Sequence, residues 1–126
     1  MDKSALVAEA NDFVRCVLQY GLENKGYVVQ ALSSLKKARI PGNKDFGVYI
    51  VSENAVSGTS AKEMLRNLKD YYKHISALRP NSAFFFLANT EEMLEEARRE
   101  GISAYHRKGD EFSLDIIEKA VAGRAA

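Results

Sequence analysis

Four residues stand where apolar runs give way to polar turns. They are Glu9 after SALVA, Ser52 after VYIV, Ala88 after FFFL and Lys108 after AYHR. Together they offer a carboxylate, a hydroxyl, a methyl group and an ammonium. A serine attacks as a nucleophile only when a neighbouring base takes its proton. The chain has two histidines, and neither is placed for that task. His74 lies far along an amphipathic stretch and His106 lies inside a short apolar one, so both read as surface or packing residues. Glu53 follows Ser52 directly and offers a second carboxylate. The turn NAVSGTS has one glycine and lacks the spacing of a nucleotide-phosphate loop. These residues give no reason to expect a cofactor, a resident metal or an enzymatic activity.

The elements that position these residues follow from a repeated change of apolar period. Residues Ser4–Glu9 are a short continuous apolar run, as in a strand covered on both faces. The stretch from Asn11 to Gly26 then sets Phe13, Val14, Val17, Leu18 and Leu22 at helical spacing. Asn11 or Asp12 can cap its start, and Gly26 suits its end. YVVQAL reads as a second strand, SSLKKAR as a weak short helix, and Pro41 with Gly42 as its stop. FGVYIVS is a third strand. The helix Ser60–Leu78 places Ala61, Met64, Leu65, Leu68, Tyr72, Ile75 and Leu78 on one face, with Ser60 and Glu63 as a capping box. Of the adjacent Tyr71 and Tyr72, one is expected to pack inward and the other to lie along the surface. SAFFFLAN is a fourth buried strand. Thr90 caps Glu91–Glu100, whose acids come early and arginines late, as the helix dipole favours. SAYHRK is a partly polar fifth strand, expected at an edge, and GDEFSLDIIEKAVAG is a last amphipathic helix.

Strand and helix alternate with short connections, which predicts a parallel sheet with helices on both faces. Ligands of such sheets sit beyond the carboxyl ends of the strands. That rule alone selects Glu9, Ser52, Ala88 and Lys108.

The chain of 126 residues fits one domain, 1–126. Its net charge of +1 supplies no global field for nucleic acid or a membrane surface. No apolar run approaches the roughly 20 residues of a membrane span. The N-terminal stretch carries an acid and too short an apolar segment for a secretion signal. The single cysteine, Cys16, lies among Val14, Val17 and Leu18 and reads as a buried free thiol. The expected compartment is the cytoplasm.

Two segments resemble the receiver domains of two-component response regulators. ALVAEANDFVRCVLQYGLENKGYVVQA resembles that family's opening rhythm of a strand, an acidic pair, an amphipathic helix and a glycine–aromatic pair before strand two. EEARREGISAYHRKG has its later one, with a glycine before strand five and an aromatic three residues before a lysine. The resemblance implies a flavodoxin-like, CheY-like α/β/α sandwich with a five-stranded parallel sheet of order 2-1-3-4-5. It also implies a pocket of two adjacent acids after strand one, a phosphoryl-accepting aspartate ending strand three, a hydroxyl ending strand four and a lysine ending strand five.

Here those positions hold Glu9 and Ala10, Ser52, Ala88 and Lys108. Only the lysine and one acid remain. A register shifted by one residue would put Glu53, a possible mimic of a phosphorylated aspartate, at the acceptor position. Magnesium requires an octahedron of hard oxygens with carboxylate charge behind it, and one acid near a lysine serves it poorly. The expectation for Lys108 is a pairing with Glu9 or a backbone carbonyl, with residual anion binding as the alternative. The family's proline after the lysine is Gly109, so a trans bond is expected there.

The implied function is that of a pseudo-receiver, a phosphorylation-independent protein-interaction module. Its surface would be the fourth helix, fifth strand and fifth helix (Glu91–Glu100, Ser103–Lys108 and Glu111–Val121), with Glu95, Arg99, Tyr105 and Arg107 facing a protein partner or a second copy. Tyr105 reads equally as a packing residue. A working phosphoacceptor with unusual ligands and a small-ligand sensor remain as alternatives.

Overall fold

The computed structural model describes residues 3–35, 46–78 and 82–106. Five parallel strands form one sheet of order β2-β1-β3-β4-β5. They are β1 (Ser4–Ala8), β2 (Val28–Leu32), β3 (Val48–Ser52), β4 (Ala83–Ala88) and β5 (Ser103–His106). The described helices are α1 (Asp12–Glu23), α2 (Ala61–Leu78) and α3 (Glu91–Arg99), with a 3₁₀ turn at Glu53–Ala55. This is the expected flavodoxin-like sheet order, with β5 at an edge.

Apart from the terminal Ser4 and Ser52, the central strands β1, β3 and β4 are apolar because both of their faces are covered. Ala5, Val7, Val48, Ile50, Phe85 and Leu87 pack with Leu18 and Leu22 of α1. The alternate residues Leu6, Ala8, Tyr49, Val51, Phe84 and Phe86 pack with Leu68, Tyr71, Met93, Leu94 and Ala97 of α2 and α3. Period-two alternation therefore feeds two cores from one set of strands.

Helix α1 corrects two expectations. Phe13 is 76% exposed, and Cys16 is exposed rather than buried. The helical turn explains both. At about 100° per residue, Val14 and Leu22 lie close to the buried Leu18, whereas Phe13 and Cys16 point nearly the other way. Their apolar neighbours in sequence are not their neighbours on the helix. The cap is as expected, for the Asn11 side chain accepts from the Val14 N–H at 3.0 Å.

In α2, Ser60 accepts from the Glu63 N–H at 3.1 Å. Tyr71 is the tyrosine that packs inward. Tyr72 is half-buried, stacks edge-on against Phe84 and donates to the Gly101 carbonyl. The Thr90 side chain accepts from the Met93 N–H. Lys69 and Glu100, 2.9 Å apart, link α2 to the end of α3. The weak helix after β2, the last amphipathic helix, Arg107, Lys108 and the Lys108–Gly109 bond lie outside the described residues, apart from Ser33–Leu35.

The loop into α2 turns at Gly58, whose φ is +144°. A Cβ there would meet the Met64 backbone nitrogen at 2.8 Å and its Cγ at 2.7 Å. Both the conformation and the space demand glycine. Gly58→Ala is expected to lower stability by more than about 1 kcal/mol. Urea denaturation monitored by circular dichroism measures this.

Candidate functional site

Strand register builds the site. Ala8 of β1 lies beside Val51 of β3, so the next residues, Glu9 and Ser52, emerge together at the carboxyl edge. They also share the side-chain parity of Ala5, Val7, Val48 and Ile50, the α1 side of the sheet. Both are fully buried.

The Glu9 carboxylate accepts three hydrogen bonds from described residues. Oε1 receives the Ser52 hydroxyl at 2.7 Å. Oε2 receives the Asn11 N–H at 2.7 Å and the Asn54 side-chain amide at 2.6 Å. The other end of the Asn54 amide, Oδ1, accepts from the Ala10 N–H at 3.1 Å. Donor chemistry fixes this orientation, since a carboxylate only accepts and a backbone N–H only donates. The Glu9 backbone is held as well. Its N–H donates to Leu32, and its carbonyl accepts from Arg15 at 2.8 Å. Arg15 also pairs with Asp12.

Glu53 points elsewhere. Its Oε1 accepts from the Asn89 N–H at 2.9 Å, tying the 3₁₀ turn to the loop after β4. Ser52 and Glu53 thus belong to separate contacts. Ala88, opposite His106 in the β4–β5 register, is buried in the other core layer and brings no hydroxyl. Ala10 contributes only its backbone. Lys108, the fourth strand-end residue, lies outside the described residues.

On the proposed surface, Glu95 and Arg99 are exposed, and Arg99 pairs with Glu96 within its own helix at 2.5 Å. Tyr105 is half-buried with its ring 6.0 Å from that of Phe85. His106 meets Glu91 at 2.6 Å, and His74 is exposed.

A dication fits this arrangement poorly. Asn54 and Ser52 turn donors, not lone pairs, toward Glu9, and a metal there would displace them. Among the described residues, no group of three histidine, cysteine or acidic side chains is arranged to hold a metal ion. The Ser52 hydroxyl does face a carboxylate that could take its proton, but the fully buried pair is closed to an incoming substrate. Sequence reasoning expected Asn11 only as a cap and missed Asn54 and Asn89; Asn11 and Asn89 act here through their backbone N–H groups, and Asn54 through its side-chain amide.

A CheY-like receiver domain protein of Methanospirillum hungatei JF-1 is similar to this chain with a TM-score of 0.73, covering 99% of this chain and 95% of its own, at 18% identity. The chain has the receiver-domain fold. An orphan response regulator of H. pylori shares it, with a TM-score of 0.73, 16% identity and coverage of 96% and 95%. So does a response regulator of Burkholderia pseudomallei with a phosphorylated aspartic acid, a calcium ion and citrate. That likeness has a TM-score of 0.69 and 20% identity, and it covers 94% of this chain and 66% of the other. No protein-family model and no curated protein matches the sequence. In this version of the receiver fold, the carboxyl edge beside β1 and β3 holds a closed knot of side chains.

Breaking that knot should cost stability. Glu9→Gln turns a donor toward atoms that already donate. It is expected to lose about 2–4 kcal/mol, since each stranded buried polar group costs about 1–3 kcal/mol. Ser52→Ala removes one bond and strands less, so a loss nearer 1 kcal/mol is expected. Equilibrium urea unfolding of the two variants should rank Glu9→Gln as the more damaging.

Proposed function

We propose that this chain is a receiver-type signalling domain that works without phosphoryl transfer, as a protein-interaction module. The supporting observation is the buried Glu9 carboxylate, accepting from Ser52, Asn54 and the Asn11 N–H. Phosphoryl transfer to Ser52 would need its hydroxyl free, a cation beside it and a route for the donor. The hydroxyl is committed to Glu9 and fully buried. The fold then serves as a scaffold whose exposed faces meet other proteins, rather than as an enzyme, and it needs no cofactor.

The partner surface in this reading is the charged face of α3 with β5. Glu95 and Arg99 contribute opposite charges, and Tyr105 contributes an amphipathic ring of the kind enriched at interfaces. Arg107 and residues 111–121 complete that surface in the proposal. The partner is a protein or a second copy of this chain, not nucleic acid or a membrane. Among the described residues no helix is long and apolar enough to cross a membrane. We assign the domain to the cytoplasm, where the exposed thiol of Cys16 would stay reduced.

Incubation with acetyl phosphate and magnesium, followed by intact-mass measurement, should leave the mass unchanged. A phosphoryl increment that disappears in Ser52→Ala would overturn the proposal. For the surface, charge reversal through Glu95→Lys and Arg99→Glu should abolish capture of the partner in a pull-down. Capture at the wild-type level would reject this face.

A further inference from the structure

The 3₁₀ turn after β3 presents Glu53 to a second location. Helices α2 and α3 leave between them a cavity of about 340 Å³, into which Glu53 faces. That volume lies within the range of small-molecule sites. Its apolar wall includes Leu65 and Met93, and its charged rim carries Glu92, Glu96 and Lys62.

Glu53 is the unusual member. Its side chain is more than nine-tenths buried, at 8% exposure. One oxygen accepts from the Asn89 N–H. Among the described residues, its second oxygen has neither a hydrogen bond nor an ion pair. Lys62 lines the same cavity and makes no ion pair with it. That oxygen faces the cavity, where water reaches it but no described protein donor does. A guest that brings a charged donor there would replace the water with a charge-assisted bond.

The accepting oxygen of Glu53, more than the net charge, selects the sign of the guest. Three carboxylates line the space against one ammonium, and one of the three, Glu96, already pairs with Arg99 outside it. The N-termini of α2 and α3 also open here. Each contributes at most about half a positive charge, and Ser60 and Thr90 already accept from first-turn N–H groups. An anion would meet Glu53 and Glu92 directly. A cation would find an oxygen free to accept and an apolar wall for its stem.

We propose that this cavity binds a guanidinium or primary ammonium group on a short alkyl stem. The head would donate to the free oxygen of Glu53, and the stem would lie across Leu65 and Met93. A free alkyl-guanidine or amine and the arginine or lysine side chain of a protein share this chemistry.

The test is an amide NMR titration of the full ¹⁵N-labelled chain with two probes. One is n-butylguanidine, a guanidinium on a butyl stem, and the other is the blocked peptide acetyl-Gly-Arg-Gly-amide, which carries the same single charge. Saturable shifts at Glu53, Thr90 and Met93 are expected. Tighter binding of n-butylguanidine assigns a small molecule, and tighter binding of the peptide assigns a side chain of a partner. Glu53→Gln keeps an oxygen for Asn89 and should weaken the better probe by at least about tenfold, equivalent to 1.4 kcal/mol. The paired variant Glu92→Gln and Glu96→Gln, on half-buried to exposed helix positions, should weaken it more modestly and flatten its salt dependence. Absence of saturable shifts at millimolar probe, or shifts that persist unchanged in Glu53→Gln, overturns the proposal. Neither result depends on whether Ser52 accepts phosphate.

Discussion

A single carboxylate organises the carboxyl edge of this sheet. Glu9 is fully buried, and an ionised group so far from water survives only when several donors replace the solvent it has lost. Three described donors do so, from the cap of α1, from the end of β3 and from the 3₁₀ turn. Each belongs to a different segment. The carboxylate therefore fixes the start of α1 and the path of the chain after β3 relative to β1. A hydrogen bond of this charge-assisted kind is about twice as strong as a neutral one. The knot is thus a structural centre in a place where this fold commonly does chemistry.

The same geometry separates two acids that are close in the fold. Glu9 and Glu53 both stand just past strand ends, yet they answer to different neighbours. Parity sends Glu9 and Ser52 to the α1 side, while the 3₁₀ turn carries Glu53 toward the loop after β4 and the space between α2 and α3. One carboxylate is enclosed by donors, and the other retains an oxygen facing a cavity. A buried carboxylate can close a site or define one, depending on how many of its lone pairs the protein has filled.

Much of the fold could be read from the chain because its signals are local. Continuous apolar runs marked β1, β3 and β4, which have helices on both faces, and Thr90 announced the start of α3 by its cap. The errors arose where one dimension stood in for three. Phe13 and Cys16 are beside apolar residues in the sequence but lie across the helix from Leu18. Of the two tyrosines, Tyr71 is the buried one and Tyr72 is half-buried, yet both rings meet Phe84, because adjacent positions straddle the edge of the buried face of α2. At the site, the strand-end rule found Glu9 and Ser52. It could not reveal Asn54, whose role exists only after the β1–β3 register has set Ala10 beside the turn. Cross-strand register is a property of the assembled sheet, and a single amide in a polar loop carries no trace of it.

The outward position of Cys16 also has a practical side. It is the one thiol in the chain, and it stands exposed on a helix whose opposite face is anchored by Leu18 and Leu22. A maleimide-linked fluorophore or spin label would attach at one defined place without any engineered mutation. The native sequence thus comes with its own spectroscopic handle.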